Sequence, residues 1–78
     1  MSRIENWSKK KDRNNVEEWQ NTKLPRYRAG IAKRGDDWRW YVNSGSDSVQ
    51  NTVVDTKKKA KNRVLRWMRN NPVPSTWP

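Results

Sequence analysis

Two runs of alternating residues flank a turn near the middle of the chain, and little else in the sequence limits the fold as tightly. Tyr27, Ala29 and Ile31 alternate with Arg26, Arg28, Gly30 and Ala32; after Gly35-Asp36-Asp37, Trp38, Trp40 and Val42 alternate with Arg39, Tyr41 and Asn43. A period of two is that of a half-buried strand, and the Gly-Asp-Asp step has turn chemistry, so the segment predicts a β-hairpin. Asn43 to Ser48 reads as a loop and Val49 to Asp55 as a further β-branched strand. A short strand over Val16 to Gln20 is expected before the turn at Asn21 to Pro25.

The period then changes. Asp55-Thr56 is a helix-start signal, and Ala60, Val64, Trp67 and Met68 fall on one helical stripe with Leu65 at its edge. Asn70-Asn71-Pro72 ends the helix, with Asn expected in the left-handed cap conformation. The expected fold is α+β, a small antiparallel sheet of three to four strands packed on one C-terminal helix. Residues 1–15, polar and without lasting period, read as an irregular arm with Trp7 as its anchor. Residues 16–71 form the single sheet-plus-helix domain, and 72–78 a Pro-rich tail.

Composition narrows the function. The chain has 78 residues, six Trp, no Phe, no Cys and no His. A disulfide is impossible, no structural or catalytic metal is expected, and the Trp residues must fill much of a small core. No stretch has the roughly 20 apolar residues of a membrane helix, nor does the N-terminus look like a signal peptide, so a cytoplasmic protein without membrane association is expected. Without His, Cys, a phosphate loop or a tuned carboxylate pair, no enzyme and no cofactor is expected. Asp36-Asp37 reads as a solvated turn.

Charge is the functional signal. Lys57, Lys58, Lys59, Lys61, Arg63, Arg66 and Arg69 lie on the helix with no acid from residue 57 onward, and they supply +7 of the net +10. Three Lys in the first turn oppose the helix dipole. That conflict points to compensation by a polyanion, DNA or structured RNA, with the helix cations on phosphates. Arg26, Arg28 and Arg39, beside an outward stacking ring on Tyr41, form a second expected contact set on the sheet. Replacing Lys58, Lys61 and Arg66 by Glu is expected to abolish binding and spare the fold. The alternative is an adaptor whose basic helix docks an acidic protein surface, with Trp77 as anchor.

Tyr27-Arg28-Ala29-Gly30-Ile31, Lys33-Arg34 and Trp38-Arg39-Trp40-Tyr41-Val42, followed by a strand and a helix from Asp55-Thr56, resemble the three-stranded sheet plus helix of plant ethylene-response-type and integrase arm domains. The resemblance implies DNA contact through the sheet, with Arg26, Arg28, Arg34, Arg39 and Trp38 as contacts and the helix as backing. The chain departs from that pattern in lacking a Gly between the second-strand aromatics and in its far more basic helix. The ends, Arg3-Ile4-Glu5-Asn6-Trp7-Ser8 and Trp67-Met68-Arg69-Asn70-Asn71-Pro72, resemble small haloarchaeal proteins, which implies an origin without an activity.

Overall fold

Five strands run antiparallel in sequence order, and one helix returns across them. A computed structural model of the chain describes residues 4–74. The elements are β1 (Trp7–Arg13), β2 (Val16–Asn21), β3 (Tyr27–Arg34), β4 (Asp37–Ser44), β5 (Asp47–Val54) and α1 (Lys57–Asn70). Each strand pairs with its neighbour in the order β1-β2-β3-β4-β5. The α+β class is as expected, with five strands in place of three to four.

The extra strand is β1, where the sequence reads as an irregular arm. Five of its seven residues are charged, so it shows no apolar alternation. Pairing with β2 makes it a strand, with a bulge between Lys9 and Lys11. Charges and a bulge are also what keeps an exposed sheet edge from pairing with other chains.

The alternating runs hold their expected faces. Tyr27, Ala29, Ile31 and Val42 are buried beneath α1, whose Ala60, Val64 and Met68 are buried against them. The helix lies mainly across β3 and β4. Trp7 and Trp19 are buried, and Trp38, Trp40 and Trp67 pack partly buried around that core. Trp is therefore used for packing at these five positions; Trp77 lies outside the described residues.

Thr56 caps α1 as expected, its hydroxyl accepting from the Lys59 backbone N–H at 3.2 Å. The C-terminal end differs: Asn71 has φ −135°, not a left-handed value. Its side chain donates to the Trp67 carbonyl at 2.8 Å instead, and its own N–H donates to the Met68 carbonyl. The left-handed Asn is Asn6, with φ 64°, in the turn that enters β1.

That turn fastens the two ends of the described chain together. Asn6 and Asn21 both donate side-chain hydrogen bonds to the Pro72 carbonyl, at 3.1 and 3.0 Å. Trp7 donates its indole N–H to the Asn71 carbonyl at 3.1 Å and meets Trp67 edge-on at 6.0 Å. Asn21 is fully buried, and its side-chain oxygen also accepts from the Lys23 and Leu24 N–H groups. A buried amide that meets donors and acceptors in three places makes the junction specific.

Candidate nucleic-acid interface

The sheet separates the two expected contact sets. One face lies under α1, and the helix cations sit on or beyond that side. The other face is covered by no described element, and its side chains come from the alternate residues of each strand. Lys11, Glu18, Gly30, Tyr41 and Asn51 are in register across it, flanked by a row with Ser8, Gln20, Arg28 and Asn43 and a row with Arg13, Val16, Ala32, Arg39 and Val53.

On the helix side the expected strip of seven cations breaks up. Lys57 and Lys61 both point to Glu17 of β2, at 3.2 Å each, and Lys9 of β1 reaches the same carboxylate at 2.9 Å. Glu17 is only 3% exposed, and its Oε1 is sealed from water. Burial opposes its charge, but the contacts from Lys9, Lys57 and Lys61 outweigh burial and hold the carboxyl down to about 2. Burial likewise works against the Lys9 ammonium, and Glu17 and Asp12 more than offset it, so its pKa is raised. Lys57 also stands over the Trp38 ring at 5.5 Å, and Lys9 over Trp19 at 5.1 Å.

Lys59 is paired as well, with Asp55 at 3.0 Å, one turn earlier in the chain; that contact pulls the Asp55 carboxyl down. The expectation that the helix lacks internal compensation is thus corrected for Lys57, Lys59 and Lys61. Its acids lie before the helix or on β2, which the count of helix residues alone misses. Substituting Lys61 by Glu would set a carboxylate against buried Glu17, so a triple Glu variant that includes it tests folding as much as binding. Lys58, Arg63, Arg66 and Arg69 keep no acid partner among the described residues and form the remaining outer row.

On the open face, Arg28 is well exposed and 3.8 Å from Glu18, a loose pair. Arg26 donates through Nε to the Ser44 hydroxyl at 3.0 Å and lines the cleft described below. Arg39 lies over the ring of Tyr41 at 5.1 Å. Tyr41 is not the outward stacking ring expected: it is 7% exposed, roofed by Arg39, and its hydroxyl donates to Glu18 at 2.7 Å. Burial, then the hydrogen bond and charge of Glu18, push the pKa of the phenol up, against smaller pulls from Arg39 and Arg28.

Gly30 makes this arrangement feasible. A Cβ there would stand 2.7 Å from the Tyr41 hydroxyl and 2.5 Å from the Glu17 carbonyl oxygen. Its bare backbone lets the phenol lie across the sheet. Beside it, Glu18, Pro25, Arg26, Arg28, Asn43 and Gly45 line an open cleft of about 390 Å³. Both arginines are legible in the sequence, but neither Glu18 nor the cleft is; Val16–Glu17–Glu18–Trp19 alternates too briefly to show that adjacent glutamates face opposite ways.

No helix of the described residues is long and apolar enough to cross a membrane, and none of their His, Cys, Asp and Glu side chains cluster in a way that could hold a metal ion. No family model, curated protein or solved structure matches the chain.

Proposed function

We propose that this chain is a nucleic-acid-binding domain that engages DNA or structured RNA chiefly through its open sheet face. The carrying observation is that face itself: five strands wide, uncovered by any described element, with Arg28 and Arg39 set among amide and hydroxyl side chains. Arginine pairs with phosphate through a planar fork and stacks on bases, so such a face suits a polyanion with aromatic parts. The net charge of +10 supplies long-range attraction. Lys58, Arg63, Arg66 and Arg69 point away from this face, so they add to the field or hold a second segment of polymer.

Fluorescence anisotropy with labelled duplex DNA, duplex RNA and single strands across a salt series tests the reading. Replacing Arg28 and Arg39 together by Glu should weaken binding at least tenfold. Replacing Arg63 and Arg66 by Glu should weaken it less, with a shallower salt dependence. The reverse ranking would move the interface to the helix. Absence of binding to every polymer, with an acidic protein retained from nuclease-treated extract, would favour the adaptor reading.

A further inference from the structure

A carboxylate in the middle of a phosphate-binding face is repulsive, and Glu18 occupies that position. One of its oxygens accepts from the Tyr41 hydroxyl at 2.7 Å, which fixes the side chain. The other is 3.8 Å from Arg28, too far for a hydrogen bond, and the side chain, 12% exposed, lines the cleft. The neighbouring donors are the guanidinium groups of Arg26 and Arg28 and the amide of Asn43. The cleft therefore presents an anchored acceptor beside two cations. A phosphate alone satisfies the cations and is repelled by Glu18. A nucleotide whose base carries adjacent N–H donors satisfies both.

We propose that this cleft binds one unpaired guanine nucleotide, with Glu18 accepting from the N1 and N2 N–H groups and Arg26 and Arg28 holding its phosphates; this deepens the nucleic-acid reading and rests on it. Guanine alone among the common bases places two parallel donors on its pairing edge to match a carboxylate. That edge is consumed in a duplex, so the target is a loop, an end or a single strand, where unpaired bases are read on their pairing edges. The volume, about 390 Å³, lies within the range of small-ligand sites.

The test uses the full chain and short labelled oligouridine or oligothymidine strands carrying one central guanine, inosine, adenine or cytosine. Guanine should bind about tenfold more tightly than the others, and inosine, which lacks the N2 amine, should lose most of that gain. Glu18→Gln keeps an acceptor for Tyr41 and should abolish the guanine preference; Arg28→Ala should weaken all probes alike. Equal binding of all four strands by the wild-type protein overturns the proposal and leaves the broader function standing. So does a preference that survives Glu18→Gln, or binding confined to duplexes. Failure to bind any strand or duplex overturns both. The inosine comparison needs no variant, so misfolding of a mutant does not blur the answer.

Discussion

Glu17 and Glu18 are adjacent in β2 and face opposite sides of the sheet, and their surroundings differ in kind. Glu17 is buried beneath the helix and takes three lysines from two elements. Glu18 faces outward, fixed by one phenol and loosely paired with one arginine. The first acid spends the chain's positive charge inside the fold; the second leaves it available. Net charge alone is thus a poor guide to which cations are free: of the seven on the helix, Lys57, Lys59 and Lys61 are held by acids within the fold.

The difference predicts unequal costs. Glu17→Gln should lower stability by about 3 kcal/mol, because it leaves lysines facing a buried site without its charge. For a domain of this size that is a drop of about 15 °C in melting temperature, measurable by circular dichroism. Glu18→Gln should cost under about 1 kcal/mol, since Tyr41 keeps an acceptor and the pair with Arg28 is long. Equal losses at the two positions would erase the distinction between a structural and an available face.

Acid should show the same asymmetry. The folded Glu17 carboxyl titrates near 2, against 4.5 for a free carboxyl. A depressed folded value means that the unfolded chain binds the proton first. The stabilisation is therefore complete above about pH 4.5 and disappears as pH falls towards 2. Denaturant midpoints measured between pH 6 and pH 2.5 should fall steeply for the wild-type chain and much less for Glu17→Gln. Parallel profiles would place the acid-sensitive group elsewhere.

Next in size is Gly30→Ala, which probes how the open face is built. The added methyl meets a backbone carbonyl at 2.5 Å and the Tyr41 hydroxyl at 2.7 Å, so the strand or the phenol must move. A loss of about 2 kcal/mol is expected, typical of overpacking a tight site. Tyr41→Phe should restore part of it by removing the atom nearest the methyl, and a double-mutant cycle would measure that coupling. Strictly additive losses would mean that the backbone contact alone sets the requirement.

How much of this the sequence carried depends on where the signal lies. The β3–β4 hairpin and α1 were legible because an apolar period marks each, and Thr56 was legible because capping is local. β1 was hidden: its outward residues are charged, and its existence depends on β2. The Pro72 junction was hidden for a related reason, since Asn6 and Asn21 find that carbonyl across 66 and 51 residues of separation. At the site, the arginines were legible by alternation along β3 and β4. The Glu17 cluster was not, because it joins three elements and no spacing rule connects Lys9, Glu17, Lys57 and Lys61. Tyr41 alternated correctly onto the open face, yet its burial there needed Gly30 and Arg39, one on the neighbouring strand and one on its own.

The smallest expected effect separates proximity from stabilisation on the helix. Lys59 and Asp55 are as close, at 3.0 Å, as the lysines around Glu17, and they are one turn apart. Both side chains are largely exposed, 62% and 67%, so water already satisfies each charge and salt screens their attraction. Lys59→Gln keeps the backbone N–H that Thr56 caps and should leave the melting temperature unchanged within error, at low salt and at high. Thr56→Ala, which removes the cap while keeping the ion pair, should cost about 1 kcal/mol. If Lys59→Gln instead destabilised the chain as much as Thr56→Ala, exposed pairs would join Glu17 in holding the helix, and the line between structural and available charge would have to be drawn around Lys59 too.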